Sequence, residues 1–347
     1  MVKEAMLEAN EGNLPSVAAP VTPPDSGERT VSKGRTKKSQ EISWGKIRQL
    51  IERYVRERPQ DHIATFLADL REIDISRKDP SAFYRTRDLV RPMGQKIMAA
   101  VGQDLEDPFY YPDVRAERYT TSTISPIRYL MGCIRKDTTA IVEFGSGWST
   151  NLFQIYVGHG TTRSASIGYH GAEYTIEGQE CAKRLAQHDG KINYFAHSFD
   201  YRKPNIAFLR KYTGHILVFT RHSIEQVQTI NPSLYEDLCS LRAQVTIVHI
   251  EPVGWQRSQE LMRRRADDDA AFFGGIGETI DGDIVSVERQ LANAAWWSWR
   301  LSYNTNLLSI IEDYCGRKKG RLVKREYDFS GVGNIMNPSS LFHVELW

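Results

Sequence analysis

The feature that most constrains the fold is a series of short apolar runs, each of strand length. They cover residues 138–144, 172–177, 192–197, 215–220 and 244–250, and most of the segments between them are long enough to hold a helix. Strands that alternate with helices form parallel sheets, because each helix carries the chain back across one face of the sheet. We therefore predict an α/β fold with a doubly wound, Rossmann-like sheet.

The C-terminal segment departs from this alternation. Two further strand-length runs, at residues 324–329 and 340–346, flank the string SGVGNIMNPS, which is rich in turn-forming residues. Strands that are joined by a turn rather than by a helix pair in antiparallel fashion. We predict that the sheet is mostly parallel and that its C-terminal strand is antiparallel.

Composition divides the chain into three parts. Residues 1–40 are rich in proline and polar residues, and no aromatic residue precedes Trp44, which predicts a disordered tail. Residues 41–118 carry apolar residues at helical spacing, which predicts a helical N-terminal region that acts as a cap or as the contact of a homo-oligomer. Residues 119–347 form the predicted sheet domain, with an insertion at about residues 256–300.

Composition also excludes several classes of protein. The 45 Lys and Arg residues nearly balance the 43 Asp and Glu residues, for a net charge of +2, whereas nucleic-acid-binding domains are strongly basic. No run approaches the roughly 18 apolar residues of a membrane span, and the N-terminal string MVKEAMLEANEGN carries acids where an export signal needs apolar residues. The four cysteines include no CxxC pair, which argues against a zinc knuckle. We expect a cytoplasmic protein with a small-molecule partner, and neither a nucleic-acid nor a membrane partner.

The string IVEFGSGWST, residues 141–150, is the most informative motif. It ends the first predicted strand near Glu143, turns through Gly145 and Gly147, and enters a helix near Thr150. Glycines let the backbone approach a ligand closely, and a helix N-terminus favours negative charge. Thr150 replaces the third glycine of the dinucleotide-binding pattern GxGxxG, which argues against a pyrophosphate ligand.

This ExGxG arrangement resembles the first motif of class I S-adenosylmethionine-dependent methyltransferases. The resemblance implies S-adenosyl-L-methionine as the cofactor, with an acid balancing the positive end of the ligand and the loop amides receiving its carboxylate. The cofactor residues assigned in this loop are Glu143, Gly145, Ser146, Gly147 and Thr150. Two alternatives stay open: a structural turn between strand and helix, and a nicotinamide-dependent oxidoreductase on the same architecture.

Polar side chains also follow the second and third predicted strands. In such folds a carboxylate at the end of the second strand binds ribose hydroxyls, because it accepts two hydrogen bonds. Glu177 ends the run at residues 172–177, and we predict this role for it. Ser198 or Asp200, after the third run, is expected to meet the adenine amine. The alternative interpretation of each is a polar surface residue.

Histidine and carboxylate side chains follow the fourth and fifth predicted strands. Because the carboxyl ends of parallel strands meet at the ligand-binding edge, we expect His222, Glu225 and Glu251 to lie close together. Methyl transfer to a hydroxyl needs a base, and histidine is suited to this near neutral pH. We predict His222 as the base, Glu225 as its orienting partner or a substrate contact, and Glu251 as a second base or substrate contact. Alternatively, His222 is an exposed loop residue and Glu225 pairs with Arg221 or caps a helix.

From about Tyr119 to Trp347 the chain also resembles bacterial sugar O-methyltransferases, through the strings HSIEQ, EPVGWQ, YNTNLL and NPSSLFHVEL. This resemblance implies methyl transfer to a hydroxyl of a sugar or a glycosylated metabolite. Some sugar O-methyltransferases hold a divalent metal with clustered acids, but the predicted strand ends carry no compact acidic ligand set, so the sequence does not support a metal. Methylation of nitrogen or of a peptide, and a non-catalytic binding role, stay open as alternatives.

Two strings near the end of the insertion have both a functional and a structural interpretation. The tryptophans of WWSWR, residues 296–300, could stack on sugar rings or pack a helix. Asn304 and Asn306 could bind substrate hydroxyls or cap the helix that follows them.

Overall fold

The computed structural model describes residues 37–67, 126–160, 166–277, 287–330 and 339–347. Helix α1 (Lys37–Glu57) and a short helix α2 (residues 63–67) represent the N-terminal region, and helix α3 (Pro126–Gly132) leads into the sheet. Helix α1 begins inside the segment that the sequence predicts as a tail. Residues 68–118, the remainder of the predicted helical region, lie outside the described residues.

Seven strands of the described residues form one sheet. In chain order they are β1 (Thr138–Phe144), β2 (Gly168–Glu173), β3 (Tyr194–Ser198), β4 (His215–Arg221), β5 (Gln244–Glu251), β6 (Gly320–Ser330) and β7 (Ser339–Leu346). Their order across the sheet is β3-β2-β1-β4-β5-β7-β6. Strands β1 to β5 are parallel, and β7 is antiparallel to both of its neighbours. The predicted mostly parallel sheet with an antiparallel C-terminal strand is confirmed.

Helices connect the parallel strands and cover the sheet on both faces. They are α4 (Thr150–His159) between β1 and β2, α5 (Ile176–Asp189) between β2 and β3, and α6 (Ser233–Cys239) between β4 and β5. Alternate residues of β1 enter different apolar clusters: Val142 and Phe144 join one, and Ile141 joins another. Because both faces of the strand are buried, its sequence is almost continuously apolar.

The second strand lies earlier in the chain than the sequence predicts. The apolar run at residues 172–177 crosses the boundary between β2, which ends at Glu173, and helix α5. Thr175 caps this helix, since its hydroxyl accepts a hydrogen bond from the amide of Gly178 at 3.3 Å. The strand itself, GYHGAE, is fully buried but contains glycines and a histidine. His170 is buried because both of its ring nitrogens are hydrogen-bonded, which hydrophobicity alone cannot predict.

The predicted insertion is helical where the structure describes it. It contains α7 (Gln259–Ala266), α8 (Ala270–Gly277) and α9 (Val287–Leu301), and helix α10 (Leu307–Gly316) then leads to β6. These insertion helices share an apolar cluster of their own around Trp255 and Phe273. Among the helices of the described residues, none is long and apolar enough to cross a membrane.

The apolar face of α1 packs against its own chain. Ile47, Leu50 and Ile51 share a buried cluster with Leu185 of α5 and with Trp148 of the loop after β1. The prediction of a cap therefore fits this helix, whose apolar face is covered within the chain. A homo-oligomer through the N-terminal helices stays a prediction.

Candidate functional site

The candidate site lies where the chain connections diverge, at the carboxyl ends of β1 and β4. Strand β1 continues toward β2 on one side and β4 continues toward β5 on the other, and open parallel sheets bind ligands in the crevice that forms there. A cavity of about 790 Å³ occupies this position. The loops after β1, β2, β3 and β4 line it, together with helix α1. Its volume is within the range of small-molecule sites, roughly 300–1,000 Å³.

The loop after β1 bends through two glycines with left-handed backbone conformations. Gly145 has a φ of +68° and Gly147 a φ of +53°. A Cβ atom on Gly145 would collide with the side chain of Ser223, and one on Gly147 would lie 3.2 Å from the ring of Trp44. Both conformation and close approach therefore require glycine here. Ser146 and Thr150 of the same loop also line the cavity, and their contact with a cofactor stays a prediction.

Glu143 is a buried carboxylate with only one of its oxygens hydrogen-bonded. The residue is 1% exposed. Its Oε1 accepts a hydrogen bond from Asn151 Nδ2 at 2.6 Å, whereas Oε2 has no partner among the described residues. Burial raises the pKa of Glu143 to about 8, although the Asn151 amide and the charge of Arg221 lower it. Since an unpaired buried oxygen is costly, a cationic group in the cavity would be a favourable partner for it.

The amides of the glycine loop are already bonded to β2. The N–H groups of Gly145 and Ser146 donate to the carbonyl of Ala172 at 2.7 and 3.2 Å. The N–H of Gly147 donates to Glu173 Oε2 at 2.8 Å. The prediction that the loop amides receive a ligand carboxylate is therefore wrong for these three groups, because each already donates within the protein.

Glu173, and not Glu177, stands at the carboxyl end of the second strand. Glu177 lies in the first turn of α5, outside the cavity lining, and forms an ion pair with Arg48 at 3.1 Å. Glu173 is buried and lines the cavity. The assignment of Glu177 to the strand end is wrong because the predicted run extends across the helix cap. The threonine cap at Thr175 is the sequence signal that marks the earlier strand end.

Of the two candidates after β3, only Asp200 lines the cavity. Ser198 is exposed and lies outside the cavity lining, so the alternative of a surface residue fits it. The Asp200 carboxylate accepts hydrogen bonds from Nε and Nη2 of Arg202, both at 2.9 Å. Burial raises the pKa of Asp200, but the guanidinium outweighs this and the pKa is lowered overall. Asp200 therefore presents an ionised acceptor beside the cavity.

His222 adopts an uncommon backbone conformation directly after β4. Its φ of +50° is rare for a residue with a side chain and is typical of functional sites. Its N–H donates to the carbonyl of Ile250 at 3.2 Å, and its Nε2 lies 2.8 Å from the hydroxyl of Ser339. The conformation and the ring orientation are thus both held by neighbouring strands.

Glu225 lies beside His222 in the same cavity. The distance from His222 Nδ1 to Glu225 Oε1 is 3.6 Å, and the side chain of His222 remains 38% exposed. Burial lowers the pKa of His222, but the carboxylates of Glu225 and Glu251 raise it more, so that the pKa lies above its ordinary value. The structure thus brings together the predicted base and its predicted partner.

Glu251 lies beneath this loop and does not line the cavity. It is fully buried, and its carboxylate accepts hydrogen bonds from the amides of Ser223, Ile224 and Glu225 at 3.1 to 3.3 Å. Burial raises the pKa of Glu251 to about 7. The prediction that Glu251 contacts substrate is wrong, because its acceptor positions hold the loop that carries Glu225.

Helix α1 forms one wall of the cavity, although none of its residues is among the predicted site residues. Trp44 lies over the glycine loop, and Gln40 Nε2 donates to Gln226 Oε1 at 2.9 Å. Gln226 Nε2 in turn donates to the carbonyl of His222 at 3.0 Å. The helical spacing in α1 predicts a cap, but no local signal indicates which loop the cap covers.

Further polar and aromatic candidates have structural roles. Trp296 and Trp299 pack against the apolar cluster of the insertion, and neither lines the cavity. The side-chain oxygen of Asn304 accepts hydrogen bonds from the amides of Asn306 and Leu307 at 3.1 and 2.9 Å, which caps α10. Across the described ranges, no group of three or more His, Cys, Asp or Glu side chains is placed to hold a metal ion.

Comparison with known proteins finds similar structures at low sequence identity. No family model matches the chain, and no curated protein matches its sequence. A SAM-dependent methyltransferase from Aquifex aeolicus is 12% identical, with a TM-score of 0.37, over 73% of this chain and 98% of that one. An O-methyltransferase from Bacillus cereus, in complex with S-adenosylhomocysteine, is 10% identical, with a TM-score of 0.37, over 67% of this chain and 86% of that one.

Mitomycin 7-O-methyltransferase is a third structural neighbour. It is 7% identical, with a TM-score of 0.35, over 63% of this chain and 52% of that one, so this chain spans about half of its length. The structural neighbours are thus S-adenosylmethionine-dependent methyltransferases, several of them O-methyltransferases. At these identities and scores we take no residue role from them.

Proposed function

We propose that the chain is an S-adenosylmethionine-dependent methyltransferase that acts on a hydroxyl of a small molecule. The observation that carries the proposal is the buried oxygen of Glu143, which has no partner and belongs to a residue lining the crevice at the divergence of β1 and β4. The ammonium group of S-adenosylmethionine is a matching partner for it. When bound, this cofactor supplies a methyl group activated by its attachment to a sulfonium.

Two carboxylates fit the adenosine part of the cofactor. Glu173 stands at the end of β2, where a carboxylate can bind a ribose hydroxyl. Its Oε1 already accepts from the amide and the hydroxyl of Thr175, whereas its Oε2 accepts one bond, from Gly147, and can take another from the ligand. Asp200 follows β3 and is suited to accept from the adenine amine. Gly145 and Gly147 line the same cavity, and their bends let the loop pack closely against Ser223 and Trp44.

The cavity lining is rich in polar residues. Five of them carry amide or hydroxyl side chains and lie beside apolar residues such as Val227: Gln40, Gln226, Gln228, Thr229 and Ser302. Such groups both donate and accept hydrogen bonds, as the hydroxyls of a sugar do. This lining supports an acceptor rich in hydroxyl groups, a sugar or a glycosylated metabolite.

His222 and Glu225 take up the proton that the acceptor hydroxyl loses. Both line the cavity, and the carboxylate of Glu225, whose Oε1 lies 3.6 Å from His222 Nδ1, stabilises the imidazolium that forms when Nδ1 takes the proton. Ser339 fixes the ring from the opposite nitrogen. Much of the rate then comes from orientation of the acceptor oxygen by the polar wall, since pre-positioning replaces an encounter between free molecules.

The direct test is incubation of the protein with S-adenosylmethionine labelled in its methyl group and with small-molecule fractions of a cell extract. We expect the label on a hydroxyl of a small, polar molecule, identified by mass spectrometry. His222→Ala should keep the affinity for S-adenosylhomocysteine, measured by calorimetry, and lose turnover by about 100-fold or more. Label on nitrogen or on a peptide would contradict the hydroxyl assignment, and stabilisation by NAD but not by S-adenosylhomocysteine in a thermal-shift assay would contradict the methyltransferase.

A further inference from the structure

Asn151 lies between an acidic and a basic side chain on one wall of the cavity. Its side-chain Nδ2 donates to Glu143 Oε1 at 2.6 Å, and its Oδ1 accepts from Arg221 Nη1 at 3.1 Å. All three residues line the cavity. The amide therefore lies between the carboxylate and the guanidinium and bonds to both of them.

Both charged groups have hydrogen-bonding capacity beyond these contacts. Glu143 Oε2 is buried without a partner, and the neighbouring hydroxyl of Ser146 is also buried without one. A guanidinium has five N–H donors, of which Asn151 uses one. Arg221 is the last residue of β4 and lines the same cavity as Glu143. The donors of the guanidinium and the free oxygen of Glu143 are therefore available within one crevice.

The glycine loop offers little to a ligand carboxylate. Three of its amides, those of Gly145, Ser146 and Gly147, donate to β2. A ligand that carries an ammonium and a carboxylate on the same carbon atom therefore needs a donor other than these three amides for its carboxylate. Arg221 is the cation that Asn151 links to Glu143.

We infer that Glu143, Asn151 and Arg221 form a receptor for an α-amino-acid zwitterion, in which Glu143 binds the ammonium and Arg221 binds the carboxylate. The inference rests on the proposed function, in which the zwitterion is the methionine end of the cofactor. Asn151 acts as a positioning residue, because its two hydrogen bonds keep the charges at a fixed separation. Arg221 suits this role because its planar fork can bind a carboxylate through two parallel hydrogen bonds.

Calorimetry with three ligands tests the inference. The ligands are S-adenosylhomocysteine, its decarboxylated analogue, which keeps the amine, and methylthioadenosine, which lacks the amino-acid end. Arg221→Gln should lower the affinity for S-adenosylhomocysteine by about 10- to 100-fold, which is the usual effect of losing a hydrogen bond between charged groups. The same variant should bind the other two ligands within about twofold of the wild type, since neither has a carboxylate for Arg221 to bind.

Lys136→Gln is the matched control, because it removes one positive charge from an exposed position outside the cavity lining. It should leave the affinities for all three ligands nearly unchanged. Arg221→Lys provides a second variant if Arg221→Gln is poorly folded by circular dichroism. It keeps the charge but not the fork, so we expect a smaller loss, again confined to S-adenosylhomocysteine.

Two outcomes overturn the inference. In one, the Arg221 variants lower the affinity for all three ligands equally, and in the other they lower the affinity for none of them. In both cases the proposed function stands if the wild type binds S-adenosylhomocysteine. A wild-type protein that binds none of the three ligands would instead overturn the proposed function itself, so the two failures are distinguishable.

Discussion

Glu143 shows at the scale of one residue how a buried carboxyl group makes stability depend on pH. Burial keeps the pKa of its carboxyl at about 8 in the folded protein, whereas the ordinary value is 4.5. The folded protein therefore holds the proton more tightly than the unfolded chain does. This contribution to stability is present at low pH and is lost as the pH rises from about 4.5 to about 8.

Glu143→Gln should stabilise the ligand-free protein and weaken cofactor binding. A glutamine cannot ionise, so the free energy of unfolding should increase by about 1 to 3 kcal/mol near pH 8 and by less near pH 5. Urea denaturation at several pH values measures the gain, and calorimetry should show S-adenosylhomocysteine bound at least about 10-fold more weakly. A gain that is independent of pH, or an unchanged affinity, would count against the role of Glu143. Glu236→Gln, at an exposed carboxylate, is the control.

The pH dependence of turnover tests the pairing of His222 with Glu225. Burial lowers the pKa of His222, but the two nearby carboxylates raise it above 6.5, so the rate should rise with pH through that higher value as the imidazole loses its proton. Glu225→Gln removes one of the carboxylates that raise this pKa. The acidic limb of the kcat profile should therefore move to lower pH. If the acidic limb keeps its position in this variant, Glu225 does not raise the pKa of the group that controls the rate.

At the scale of elements, helix α1 links the N-terminal region to the candidate site. Gln40→Ala breaks the chain of hydrogen bonds from α1 through Gln226 to the carbonyl of His222. We expect kcat to fall by about 3- to 10-fold, the effect of one hydrogen bond, with the affinity for S-adenosylhomocysteine within about twofold. Steady-state kinetics measures the first and calorimetry the second. Gln49→Ala, at an exposed position of the same helix, should change neither, and equal effects of the two substitutions would refute the coupling.

Elements also show which parts of the structure the sequence determines locally. Strand β1 and its glycine loop are predictable because the whole motif is contiguous, from Glu143 to Thr150. The sequence places strand β2 too late in the chain, because the histidine of this strand is buried through side-chain hydrogen bonds and not through apolar character. The error passes directly to Glu177. The contacts of α1 with the cavity are not predictable, because they join residues almost two hundred positions apart, as between Gln40 and Gln226.

At the scale of the whole molecule, ligand binding should protect only part of the chain from hydrogen exchange. Most residues that line the cavity belong to α1 or to the carboxyl ends of the first four strands and the loops that follow them. Ser302 also lines it. The insertion helices α7, α8 and α9 contribute no lining residue where the structure describes them. Saturating S-adenosylhomocysteine should therefore slow amide exchange in α1 and in the loops after β1 and β4, and leave the insertion helices unchanged. Exchange measured by mass spectrometry tests this, and uniform slowing over the whole chain would contradict it.

The reversed direction of β7 has a practical consequence. Ser340 pairs with Glu251 at the carboxyl end of β5, where the crevice lies, whereas Leu346 pairs with Val245 at the amino end of β5. The backbone beyond Leu346 therefore leaves on the far side, where Trp347 is 60% exposed. A fluorophore or a solid support attached after Trp347 is directed away from the crevice, so the protein can be tethered there with the candidate site open to solution.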